Sequence, residues 1–240
     1  MSDIQFSIDK APSPTSWSEL WRGFKASLPV MLGFIPFALF LGAQASQKGL
    51  TAVEVPLMTG LNFAGGSEFA AIELWTSPPH LLLIVIVTIL VNSRYLLMGA
   101  ALVPLIRHLS KRKAFLILFL MCDESWALGV ADARKSTRLG FQYYMGAAVG
   151  LYAVWVLFTA LGALASPSPD LVRQYGFDMA FPAVFLVMLA GMWRGPAAAR
   201  PWVVSLVVAA TTYLLVPGAW YVPAGALSGV LAAYFWARPE

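Results

Sequence analysis

Blocks of roughly 18 to 22 residues rich in Leu, Val, Ala and Phe recur along nearly the whole chain, each long enough to cross a bilayer as a helix. They fall at about 27–45, 54–75, 80–104, 114–131, 140–165, 179–192, 201–216 and 219–237. The fourth, sixth and seventh are short for a full span, so they are expected to tilt, stop midway or bury themselves against neighbours. The 240 residues are 59% hydrophobic and only 12% charged, about half the charge of a soluble domain. The pattern predicts an all-α, multi-pass integral membrane protein with about seven or eight transmembrane or partly spanning helices. A polar tail over residues 1–20 should precede a single membrane domain over 21–240.

The charges cluster at block ends, as Arg107, Lys111, Arg112 and Lys113 do. This is a membrane-flanking pattern and gives no reason to expect nucleic acid as a partner. A single cysteine, Cys122, excludes an internal disulfide. His80 and His108 both stand at block ends, which argues against a metal cluster inside the membrane. Ala43-Gln44-Ala45 mimics a signal-peptidase site, but Gly33 and Pro36 interrupt the apolar run before it, so a retained first helix is expected.

Orientation meets a conflict. If every block spans and the N-terminus is cytoplasmic, Arg134, Lys135 and Arg138 fall inside, as the positive-inside rule prefers, but the basic loop 107–113 falls outside. Making the second block re-entrant brings that loop inside and inverts the loop at Arg134. A cytoplasmic N-terminus is the weaker conflict.

The loop 166–170 (SPSPD) divides the chain, and the halves echo each other. Gly42 answers Gly162, Tyr95-Leu96-Leu97 answers Tyr213-Leu214-Leu215, and 62–69 answers 178–185. The expectation is two internal repeats with a broken second helix, as in many secondary transporters. The alternative is chance agreement between apolar blocks of similar composition.

Ionisable groups at the bilayer centre are costly, about 2.5–3.5 kcal/mol on insertion scales, and normally face a cavity or a partner. In Asn62-Phe63-Ala64-Gly65-Gly66-Ser67-Glu68 the paired glycines allow the helix to unwind. That would expose N–H donors at the start of a second half-helix, where an anion is favoured. Glu68 falls within its first turn. Burial disfavours a charged acid, which makes Glu68 a candidate for proton exchange. The structural alternative is a small-residue helix crossing with Glu68 as a hydrogen-bonding group. Asn92-Ser93-Arg94-Tyr95 places an arginine mid-block, and Glu68 or Glu124 could pair with it. In Asp123-Glu124 the two acids point about 100° apart on a helix, so one could take an ammonium group while the other pairs with Arg94. Asp178 is most simply an N-cap.

No G-x-S-x-G, H-E-x-x-H or P-loop motif occurs, so neither an enzyme nor a nucleotide-driven pump is expected, and no cofactor or metal is called for.

Taken together, these motifs resemble the AzlC/YgaZ family, the large subunit of branched-chain amino acid exporters. Gly33-Phe34-Ile35-Pro36-Phe37 resembles its first-helix G-x-x-P-F/W element. The 63–69 segment resembles F-A-G-A-[AS]-Q-F, and 92–99 resembles N-x-R-H-x-L-x-G. The 123–127 segment resembles D-E-[ST]-[FWY]-A, and 176–183 resembles G-x-D-F-x-x-P-A. Glu68 stands where the family pattern has glutamine, and Tyr95 where it has histidine.

The resemblance implies export of valine, leucine and isoleucine, and of methionine in some members. It also implies a small membrane partner of the AzlD/YgaH type and a location in the bacterial inner membrane. The expected substrate contacts are Phe37, Asn62, Phe63, Gly65, Gly66, Ser67, Asp123 and Glu124. Glu68, Arg94, Asn92 and Tyr95 form the expected proton-coupling or charge-pair set. The competing functions are transport of another small organic solute and a structural membrane subunit without a pathway.

Overall fold

The computed structural model describes residues 16–136, 138–165, 199–217 and 220–236, with isolated positions between 174 and 196. Ten helices are formed among the described residues. They are α1 (Ser16–Gln47), α2 (Glu54–Asn62), α3 (Gly65–Glu73), α4 (Leu81–Asn92), α5 (Arg94–Ile106), α6 (Lys111–Phe119), α7 (Asp123–Ser136), α8 (Phe141–Ala165), α9 (Arg200–Leu215) and α10 (Tyr221–Trp236). Three stretches are long and apolar enough to cross a bilayer: Ser16–Gln47, Leu81–Ile106 (α4 with α5) and Phe141–Ala165. Leu82, Leu96 and Leu97 are each at least 74% exposed. Bare leucine on this scale is stable only against lipid or a partner. The fold is all-α and multi-pass.

Most of the sixth block, the 166–170 loop and Asp178 lie outside the described residues. The helix α1 begins at Ser16, inside the expected 1–20 tail.

Helices α1 and α8 form the central seam, and they run parallel. A Cβ added at Gly23 would lie 1.9 Å from the Tyr143 carbonyl oxygen, and one at Gly42 1.9 Å from that of Thr159. Added Cβ atoms at Gly146 and Gly162 would meet the carbonyl oxygens of Leu20 and Leu39 at 2.0 and 2.2 Å. Four glycines thus let two backbones touch, the means by which membrane helices gain packing without a hydrophobic drive. Proline at 29 and 36 does not end α1, which continues through Ala43 and Ala45, both buried.

The seam gives the molecule two ends, and every other element can be placed against them. Arg22 Nη1 donates to Asp132 Oδ1 at 2.6 Å, which sets the end of α7 beside the start of α1. The Leu139 amide donates to the Leu105 carbonyl at 3.1 Å, and Lys113 lies 5.0 Å over the Phe141 ring. Arg22, the 107–113 loop, Arg134 and Arg138 therefore share one end of the molecule. At the opposite end, Gln44 Nε2 donates to Glu73 Oε2 at 3.3 Å, and Lys48 Nζ donates to the Glu73 carbonyl at 3.2 Å.

The connections that follow from this resolve the conflict over the basic loops. Helix α2 starts where α1 finishes, and α3 returns to that same end at Glu73. Between them the chain descends only to the middle of α8, where Phe63 packs on Tyr152 with ring centroids 5.1 Å apart. The second block is thus re-entrant. So is the fourth, from the opposite side: α6 leaves the basic end, Phe119 reaches the Tyr152 ring at 6.2 Å, and α7 returns to Asp132 beside Arg22. One re-entrant block inverts everything after it; two restore the direction.

Candidate functional site

Both hairpin tips meet the middle of α8. At the first tip, Phe63 adopts the left-handed conformation (φ 45°, ψ 48°) and Ala64 is non-helical (φ −142°, ψ 70°). The break therefore falls at Phe63-Ala64, one step before the glycines expected to open it. Gly65 and Gly66 are both helical, in the first turn of α3. Gly65 serves close approach instead, since a Cβ there would lie 3.1 Å from the Trp155 ring. A left-handed phenylalanine is uncommon, and burial of its ring against Tyr152 holds it in place.

Glu68 stands in the first turn of α3 and is 1% exposed. Its Oε1 accepts the Ala64 amide at 3.0 Å, and its Oε2 accepts the Trp155 indole N–H at 2.8 Å. These donors are neutral. Arg94, for which Glu68 and either acid of Asp123-Glu124 were open as partners, places Nη2 2.9 Å from Asp123 Oδ2, at the other tip. The reason is topological. The α4–α5 junction reaches the first tip through Asn92 and the second through Arg94, which stand two residues apart and so point in different directions on a helix.

Asn92 Nδ2 donates to Asn62 Oδ1 at 3.2 Å, Asn62 Nδ2 donates to Ser67 Oγ at 3.0 Å, and Ser67 Oγ donates to the Ala64 carbonyl at 2.9 Å. Asn62, Ser67, Glu68 and Asn92 therefore belong to one polar cluster, and Arg94 with Asp123 to a second. The buried Asn92 Oδ1 and Arg94 Nε have no hydrogen-bond partner among the described residues. Tyr95 lies beneath the Arg94 guanidinium, 5.3 Å from it. Glu124 follows Asp123 in the first turn of α7 and is half-buried. Phe37 stacks on Phe69 at 4.6 Å and tilts on Trp155 at 5.7 Å, which supports the α3 side of the cluster.

Several participants are not singled out by the sequence. Trp155 is the chief one, and its position carried a signal. Tryptophan favours the membrane interfaces, so one at the centre of an apolar block needs a buried acceptor for its N–H. The Thr59 and Thr159 hydroxyls, 3.0 Å apart and buried, join α2 to α8. Tyr152 donates to the Gly60 carbonyl at 2.8 Å. At the second tip Ser125 Oγ lies 3.1 Å from the Tyr144 hydroxyl, and Trp126 Nε1 donates to the Met98 carbonyl at 3.1 Å.

Residues 29–168, more than half the chain, match the AzlC protein family. The chain belongs to the AzlC family. An uncharacterized membrane protein of Archaeoglobus fulgidus is 31% identical over 72% of this chain and 76% of its own length. The branched-chain amino acid transport protein AzlC of Bacillus subtilis is 26% identical, covering 73% of this chain and 70% of the relative. The inner membrane protein YgaZ of Escherichia coli is 27% identical over 76% of each. No solved structure matches. The family region takes in both hairpins and α8, and thus the whole described site.

Proposed function

We propose that this chain is the transport subunit of an exporter of hydrophobic, branched-chain amino acids: valine, leucine and isoleucine, with methionine as a further candidate. The observation that carries the proposal is a fully buried carboxylate, Glu68, at a broken helix in mid-molecule and held only by neutral donors. A membrane chain accepts that cost where it handles a charged or protonatable solute. The name of the Bacillus relative supports the substrate class.

In this reading the substrate lies between the hairpin tips. Amide groups around Gly65 and Gly66, with Asn62 and Ser67, face its carboxylate. Asp123 is engaged by Arg94, so Glu124 takes the ammonium group. Phe37 and Phe63 bound the aliphatic side chain. Glu68 exchanges the coupling proton. A small AzlD/YgaH-type membrane protein is the partner, and the setting is the bacterial plasma (inner) membrane. The basic end faces the cytoplasm, since the 107–113 loop and Arg134 now fall on one side, as the positive-inside rule prefers.

The deciding experiment is efflux of labelled valine from peptide-loaded cells that lack their own exporters, with this chain and its small partner expressed together. Efflux faster than with the partner alone is the expected result. Unchanged efflux of valine, leucine, isoleucine and methionine, with both proteins in the membrane, would overturn the substrate class.

A further inference from the structure

Residues 16–73 and 81–136 build one architecture twice, in opposite directions. Each begins with a long helix across the molecule, α1 or α4–α5. Each continues with an inward half-helix of nine residues, α2 or α6, then a short break and a returning half-helix. The agreement extends to side chains at the breaks. The same interval separates Gly65 from Asp123, which open α3 and α7, and Ser67 from Ser125. Both serines occupy the third position of their half-helix. Ser67 Oγ lies 2.9 Å from the carbonyl of Ala64, and Ser125 Oγ 3.2 Å from that of Cys122, each three residues earlier. This duplication is shorter than the half-chain echo. Its two Tyr-Leu-Leu runs hold different places, one opening α5 and the other closing α9.

Each tip is fastened by an acid of its own. Glu68 holds the first to Trp155 on α8, and Asp123 holds the second to Arg94 on α5. Both tips also rest on the same ring, Tyr152, through Phe63 and Phe119. The seam behind them, with backbone against backbone at four glycines, has no slack for movement. The hairpins meet the seam through side chains rather than backbone against backbone, as at Phe69 on Phe37 and Phe63 on Tyr152.

We propose that the two hairpins are the two gates of one pathway. The α2–α3 hairpin closes the end opposite the basic loops and α6–α7 closes the basic end, with Glu68–Trp155 and Asp123–Arg94 as their separate latches. Sharing Tyr152 makes them alternate: a tip that leaves the ring frees it to follow the other tip. Inverted repeats moving around a fixed mid-membrane site are the general means of alternating access. The inference rests on the transport reading, but its test requires no substrate.

The chain carries its own reporter, since its single cysteine, Cys122, sits at the second tip and is 6% exposed. The full-length protein in sealed vesicles of each orientation is treated with a membrane-impermeant maleimide. Asp123→Asn should raise the alkylation rate of Cys122 roughly ten- to a hundredfold from the basic end, the factor set by loss of a charge-assisted hydrogen bond. Arg94→Ala breaks the same latch from the other side and should do likewise, which guards against a single variant that fails to fold. Trp155→Phe should leave Cys122 protected. In a Cys122→Ser, Ala64→Cys background it should instead expose position 64 from the opposite end.

Unchanged labelling in both second-latch variants, or exposure of both tips by either broken latch, would overturn the gates. A chain that passes this test and yet exports no branched-chain amino acid keeps its gates and loses only its substrate.

Discussion

The α1–α8 seam and the hairpin tips use the same small residues for different purposes. In the seam, Gly23, Gly42, Gly146 and Gly162 bring two backbones together where any side chain would strike a carbonyl. At the first tip, Gly65 faces the edge of an aromatic ring, and the contacts that matter are hydrogen bonds. The seam is a packing solution, stiff and intolerant of volume. The tips are polar solutions, sensitive to the chemistry of single atoms and more forgiving of size. A scaffold packed backbone against backbone thus lies beside segments held by polar side-chain contacts.

Substitutions at the two regions should separate these behaviours. The largest effect is expected of Gly42→Leu, which drives a side chain into the Thr159 carbonyl. Folded protein should be lost, at or beyond the ~3 kcal/mol upper end of ordinary overpacking. Size-exclusion recovery in detergent would register it. Gly65→Ala should fold, because the Trp155 ring can shift by a few tenths of an ångström, while transport falls. If Gly65→Ala proves as damaging to folding as Gly42→Leu, the contrast between seam and tip fails.

Next in size is Glu68→Ala, which strands the Ala64 amide and the Trp155 indole at roughly 1–3 kcal/mol for each unmet donor. Glu68→Gln sharpens the functional side by restoring the residue of the family pattern. It should change the pH dependence of export while the protein stays folded. Export and pH dependence both unaltered would remove Glu68 as the coupling group.

A smaller cost, about 1 kcal/mol, is expected of Thr59→Val, which leaves Thr159 without its cross-helix partner. The double change Thr59→Val, Thr159→Val should recover most of that loss, a coupling that thermal melts of the four proteins would measure. Smallest is Arg22→Lys. It keeps a cation beside Asp132, which is only 9% exposed, and the site of the exchange is 45% exposed, so the cost stays below about 1 kcal/mol. The effect should shrink further in high salt.

Much of this was legible in the residues. The long apolar blocks announce membrane helices because lipid leaves few other solutions for a backbone. The placing of Glu68 in the first turn of a second half-helix follows from the paired glycines, although the break itself sits one step earlier. There the buried ring of Phe63 holds a left-handed backbone that glycine alone would have suggested. The partner of Arg94 was open among acids that periodicity cannot rank, since the choice depends on which hairpin faces which side of the α4–α5 junction. Trp155 reads as packing unless its depth is weighed: at the centre of an apolar block its N–H needs a buried acceptor, and only the fold shows that the acceptor is Glu68.

By itself, then, the sequence determined the solvent, the helical class, the positions of the costly polar groups and the likeness to a family. These are local properties, governed by transfer free energy and backbone sterics. The tertiary structure alone decided that two blocks turn back, that the 107–113 loop and Arg134 share one end, and that Glu68 answers to a tryptophan while Arg94 answers to Asp123. Those outcomes depend on contacts between residues as far apart as Glu68 and Trp155. A helix that crosses and a hairpin that returns can be written with the same apolar residues, and only their neighbours tell them apart.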